Sequence, residues 1–149
     1  MVITLSKEVL DSETIHRYAK SREAVLTNFL KTIKRVLNSE DIAVVDEAVL
    51  PFAVVSEKLD GFFSLINDAY FLLREAKSEQ DKLSILFHKG KYLVIYREEY
   101  YTLIINAKSV PPNIEERLLV VVQVLRKILT ATSLKLENID ELIKTVFEE

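Results

Sequence analysis

Leu83-Ser-Ile-Leu-Phe87, Tyr92-Leu-Val-Ile-Tyr96 and Tyr101-Thr-Leu-Ile-Ile105 are three short apolar runs, separated only by His88-Lys-Gly-Lys91 and Arg97-Glu-Glu-Tyr100. Runs of this length, rich in β-branched and aromatic residues, read as strands, and spacers this short force an antiparallel meander. Side chains alternate across a strand, so Leu83, Ile85 and Phe87 share one face and Ser84, Leu86 and His88 the other. Lys89-Gly90 suits a two-residue hairpin, because glycine accepts the positive φ such turns need. Pro111-Pro112-Asn113 then ends the sheet pattern, and Asn113 and Glu116 stand in capping-box register. Beyond them Ile114, Leu118, Val121, Val122, Leu125, Ile128 and Leu129 repeat with helical period. The valines at 120–124 favour a strand by propensity, but the cap and the sustained period outweigh that.

Upstream, Leu59, Phe62, Phe63, Ile66, Tyr70 and Leu73 place a helix over about 59–76, with Ser56 or Asp60 as its cap. The same helix carries a second apolar stripe, Leu65, Ala69, Leu72 and Ala76, with Phe71 on yet another side. A helix apolar over more than half its circumference is buried on two sides. One side meets its own sheet; the other needs a second partner. Before it, residues 42–46 and 50–55 read as two strands, with Pro51 confined to a strand start or an edge. A long amphipathic helix runs from about Ser12 to Leu37 with Ile15, Ala19, Leu26, Phe29, Ile33 and Leu37 on one face and Asn38 as its stop. Val2 to Leu10 fits either a short strand or an extra helical turn. A last helix, about Asn138 to Phe147, uses Ile139, Leu142, Ile143 and Val146. The order α-β-β-α-β-β-β-α-α defines an α+β fold: one five-stranded antiparallel sheet with helices packed on it. Residues 1–149 read as a single domain with a sheet and helix core at about 42–130.

Composition excludes much else. The chain has 149 residues, 49% hydrophobic and 29% charged, which argues against disorder. It has no cysteine, which removes disulfides, thiol catalysis, zinc fingers and iron–sulfur clusters together. No apolar run approaches the roughly 20 residues a membrane span needs, and the N-terminus has no secretory signal. A cytoplasmic protein is the expectation. One methionine, two glycines and no tryptophan, with Lys and Glu leading the charges, lean toward a heat-adapted source.

No reaction is written in the side chains. His16 and His88 lack neighbours at ligand spacing, and a metal site wants at least three such groups. Asp46-Glu47 and Glu98-Glu99 lie in turns, where adjacent residues point apart and make poor acid–base pairs. There is no glycine-rich phosphate loop, and no catalytic residue, cofactor or metal is assigned. Nucleic acid is a separate matter. Lys89-Gly-Lys-Tyr-Leu-Val-Ile-Tyr96 meets the RNA-recognition strand motif at Lys89, Gly90, Val94 and Tyr96 but fails where the stacking aromatics belong. Arg17, Lys20, Lys31, Lys34 and Arg35 form a basic face on the first helix, while the whole chain carries −3. That face suits an anionic partner, although a solvated helix surface is the simpler reading.

Over about residues 12–130 the element order resembles that of the Roadblock/LC7 family. The likeness is carried by Lys82–Tyr96, Tyr101–Ile105 and Asn113-Ile-Glu-Glu-Arg-Leu118, a pattern of apolar positions without an invariant motif. Longin domains share the strand–strand–helix–strand–strand–strand–helix–helix order. The chain departs from Roadblock proteins in its first hairpin, where Asp46-Glu-Ala48 replaces the usual glycine, and in its long first and added last helices. The resemblance implies a non-catalytic scaffold that dimerises through the helix between the second and third strands and through the strand after it. Leu65, Ala69, Leu72, Ala76, Leu83 and Ile85 then form the dimer interface, and a small GTPase or a larger assembly is the implied partner. Two other readings stay open: a nucleic-acid- or chromatin-associated protein using the basic helix face, and a small-molecule sensor on a profilin- or PAS-like sheet lined by tyrosines.

Overall fold

The computed structural model describes residues 2–4, 12–78, 80–130 and 133–135, with side chains for 23–78 and 80–130. The elements run β1 (Val2–Thr4), α1 (Ser12–Val36), β2 (Asp41–Val45), β3 (Pro51–Ser56), α2 (Leu59–Glu75), β4 (Leu83–His88), β5 (Lys91–Arg97), β6 (Thr102–Ala107), α3 (Ile114–Thr130) and β7 (Ser133–Lys135). The chain divides into two compact units, residues 1–29 with 116–149, and residues 30–115. The expected α+β sheet is present as five antiparallel strands in the order β3-β2-β6-β5-β4, all within 30–115. The expected helix at 138–147 lies outside the described residues.

The meander forms as its sequence dictates, with Leu83 opposite Tyr96 and Tyr96 opposite Leu103. Its first turn uses Lys89 at φ 54° and Gly90 at φ 79°, the two positive angles a twisted two-residue hairpin requires. The first hairpin has no glycine and is closed otherwise. Asp46 Oδ1 accepts from the amides of Ala48 at 2.8 Å and Leu50 at 2.9 Å. Val49 is held at φ 64°, a conformation that costs a β-branched residue energy. Pro51 is the first residue of edge strand β3, where its missing amide is harmless.

The middle of the sheet is buried on both faces. Ala43, Val45, Leu93, Ile95 and Ile104 point one way, onto Phe62, Ile66, Ala69 and Leu73 of α2. Ile42, Val44, Leu103 and Ile105 point the other way and are equally buried. Strand β2 therefore reads as an unbroken apolar run, as a strand buried on both faces should. The end of α1 buries Leu30 and Ile33, and Asn38 at φ 51° terminates it with the Ser39 amide returning to Lys34 O at 2.9 Å.

In the other unit, Val2–Thr4 pairs antiparallel with Ser133–Lys135. Val2–Thr4 is thus a strand, as one of the two alternatives allowed, while the stretch where a further helical turn would lie is outside the described residues; the strand at 133–135 has no counterpart among the sequence expectations. Val25, Leu26 and Phe29 of α1 and Leu118, Val121, Val122, Val124, Leu125 and Ile128 of α3 are buried, so α3 follows the helical period of its sequence.

The two glycines predict opposite responses. A Cβ at Gly90 meets nothing within 4 Å, so Gly90→Ala costs only its left-handed backbone, about 1 kcal/mol. At Gly61 a Cβ makes an ordinary 3.9 Å contact with Lys58 Cβ in a helical turn, so Gly61→Ala stabilises by about 0.5–1 kcal/mol. Urea unfolding of the two variants checks both signs.

Candidate interaction site

Helix α2 shows why its sequence carries two apolar stripes. Phe62, Ile66, Ala69 and Leu73 face the sheet and are buried, while Leu59, Phe71 and Leu72 are 49%, 56% and 38% exposed. Leu65 lies between, half-buried. Ala69, placed by the sequence on the outer stripe, belongs to the inner core at 3% exposure. It nevertheless lines a narrow groove together with Leu65, Leu72, Leu86 and Leu93, with His88, Lys91 and Asn106 also in its lining. Ala76 ends the helix and is exposed.

Beside that groove runs strand β4, at the end of the sheet. The Arg97 amide donates to Lys82 O at 2.7 Å, one step before the Leu83–Tyr96 pair. Hydrogen-bonded pairs alternate along an antiparallel ladder, so the amides of Ser84, Leu86 and His88 serve β5. Those of Leu83, Ile85 and Phe87 point outward, to the open edge. Side chains repeat the message: Ile85 is 43% and Phe87 65% exposed, the latter against Tyr92 with ring centroids 4.9 Å apart. An edge strand with outward donors and exposed apolar side chains is a template for another strand. Tyr96 is buried and Tyr92 half-buried, so both pack on the sheet and form no stacking platform.

His88, read from sequence as having no carboxylate neighbour, has one in space: Asp68 Oδ2 lies 3.3 Å from Nε2, and Lys89 Nζ lies 3.5 Å from the same oxygen. Among the described residues no group of three potential ligands assembles a metal site. Ser56, offered as a helix cap, is engaged otherwise: its hydroxyl donates to Asp41 and accepts from the Lys58 amide, and α2 has no side-chain cap.

At the end of the sheet where β2 begins and β6 ends, Asp41 is buried and also accepts from Asn106 Nδ2 at 2.8 Å. Next to it Glu40 pairs with Lys91 and, at 3.7 Å, with Lys108. The hydrogen bond from Lys91, with Lys108 nearby, holds the Glu40 carboxyl below its usual value against the opposing effect of burial. A lowered folded-state value stabilises the fold above the unfolded pKa, and the contribution disappears as pH falls through the folded one. Glu40→Gln therefore lowers stability at pH 7 by less than about 1 kcal/mol, as a partly exposed pair should, and by still less at pH 3. Thermal melts at the two pH values check it.

Of the basic face on α1, Lys31 and Arg35 are exposed and Lys34 is half-buried; the side chains of Arg17 and Lys20 lie outside the described residues. Lys34 joins a broad concavity with Lys58, Lys89, Lys91 and Lys108, four lysines from separate turns and strand ends. Sequence periodicity could not have found them, because they share no element. At the other end of the sheet Leu50, Phe52 and Tyr100 are exposed beside Glu47 and Glu99. The Glu99 carboxylate raises the Tyr100 hydroxyl pKa. Among the described residues no helix is long and apolar enough to cross a membrane.

No family model matches the sequence, and no curated protein sequence does. Element order and sheet agree with the Roadblock/LC7-like α+β fold expected from the sequence. The solved structure of Myxococcus xanthus MglB is similar to this chain, with a TM-score of 0.52 and 14% identity, over 86% of this chain and 98% of that one. At that identity the likeness concerns the fold.

Proposed function

We infer that this protein is an interaction scaffold that works as a homodimer, joined through the outer side of α2 and the open edge of β4. The observation that carries the reading is the pairing of two incomplete surfaces side by side. One is a helix whose Leu72 is exposed and whose Leu65 is only half-covered by its own sheet; the other is a strand whose alternate amides point outward. A twin chain related by a two-fold axis completes both at once, since its own β4 and α2 present the same surfaces. Leu65, Leu72 and Ala76 then meet their counterparts over a groove floored by Ala69, and Leu83 and Ile85 lie along the strand junction. The Roadblock-like fold supports this arrangement and supports a small GTPase, or a larger assembly, as the partner of the dimer. The scaffold role needs no catalytic residue, and none is assigned.

Ile85→Pro tests the strand half of the proposal. Its amide is one of the outward donors, so the substitution leaves the β4–β5 ladder whole and removes a bond only from the open edge. We expect a folded protein, by circular dichroism, that elutes at the mass of one chain. A parent-like mass would contradict strand pairing through β4. The partner reading is checked by gel filtration with a small GTPase of the same source, loaded in turn with GDP and with a non-hydrolysable GTP analogue. Co-elution supports it, and separate elution in both states removes it.

A further inference from the structure

The lysine concavity in residues 30–115 adjoins the α2–β4 groove, sharing Leu65, Lys91 and Asn106 with it, and opens away from it among lysines of other segments. Lys34 at the end of α1, Lys58 before α2, Lys89 and Lys91 around the β4–β5 turn, and Lys108 after β6 converge on it. They do so on a chain whose net charge is −3, so the cations are gathered there against the average. Three carboxylates, Glu40, Asp41 and Glu57, lie among them. Asp41 is committed inward to Ser56 and Asn106. Glu40 is instructive, because its carboxylate already sits between the ammonium groups of Lys91 and Lys108. Lys34 and Lys58 have no ion pair among the described residues, and Lys108 remains 79% exposed.

We propose that this concavity docks an acidic segment of a partner protein, whose carboxylates pair with Lys34, Lys58 and Lys108 as Glu40 pairs with Lys91. The proposal rests on the reading that the chain is a docking platform, and it names the chemistry of what docks. Three features favour carboxylates over nucleic acid. The cations are all lysines, compact point charges without the bidentate fork that arginine offers phosphate. The interspersed Glu40 and Glu57 repel a continuous phosphate backbone but leave room for isolated carboxylates. The aromatic ring in the lining, Phe62, is 1% exposed and offers no face for a base to stack on.

The test uses the full chain and three fluorescent probes at low salt: a glutamate-rich peptide, a serine–glycine peptide and a single-stranded DNA of similar charge. The peptide rich in glutamate should bind and the neutral one should not. Lys58→Glu/Lys108→Glu should weaken that binding at least about tenfold, whereas Arg117→Glu/Lys127→Glu, an equal charge change on exposed positions of α3, should alter it by less than about twofold. Light scattering of both variants should show the parent mass, which separates failure of this site from failure of the dimer. Equal loss in both variants, tighter binding of the DNA through the same lysines, or no binding of the acidic peptide would each overturn the proposal.

Discussion

Leu65→Glu/Leu72→Glu should convert the proposed dimer to single chains of 17.2 kDa. In the isolated chain Leu72 is 38% exposed and Leu65 half-buried, so glutamates there remain in contact with water and the fold survives. In the proposed dimer the same positions would face their twins across a two-fold axis, and four carboxylates would be desolvated in an apolar contact. An unpaired buried charge costs several kcal/mol, and each 1.4 kcal/mol is a factor of ten. Dissociation constants should therefore rise at least about a thousandfold. Light scattering at micromolar concentration reads the result directly. An unchanged mass relative to a dimeric parent, or a parent that is already monomeric, would sink the interface.

Phe62→Ala acts one turn earlier on the same helix and in the opposite direction. Its ring is 1% exposed, lies beside that of Phe63 with centroids 6.5 Å apart, and packs into the cluster of Val45, Ile66, Leu93 and Ile104. Removing such a ring loses its transfer energy and leaves a cavity, about 3–5 kcal/mol in total. A chain of this size then melts roughly 6–20 °C lower. That is a large share of the 5–15 kcal/mol that typically holds a domain together. A loss under about 1 kcal/mol, by denaturant or thermal unfolding, would mean that the inner face of α2 is not where the core lies. The pair of variants thus separates the two sides of one helix: the inner side, which holds the core, and the outer side, where the second chain is proposed to join.

How far the sequence disclosed this depends on the range of the signal. The meander was legible because strand alternation and short spacers are local, and the observed strand ends fall within one or two residues of the read ones. Helix α2 was legible as doubly apolar, although period alone put Ala69 on the outer side, when a small residue at the groove floor serves both faces. The first hairpin lacked its expected glycine, and the reason is visible only in three dimensions: the Asp46 carboxylate closes the turn, and Val49 is held in a strained angle by packing on the core. The β1–β7 pair escaped because three residues carry no period, and their partners are about 130 positions away along the chain. Lys58, Lys89, Lys91 and Lys108 escaped for the same cause. A basic stripe on one helix shows in a sequence, but a basic basin assembled from four chain segments does not.

Amide hydrogen exchange along β4 tests the central claim most directly. Ser84, Leu86 and His88 are bonded to β5 in any state, so their protection reports only that the sheet is folded. Leu83, Ile85 and Phe87 are protected only if a second chain accepts their bonds. The account predicts that these three exchange slowly at concentrations where the dimer forms and speed up in Leu65→Glu/Leu72→Glu. Exchange at the rate of a free edge in the parent protein, with Ser84, Leu86 and His88 still protected, would contradict it.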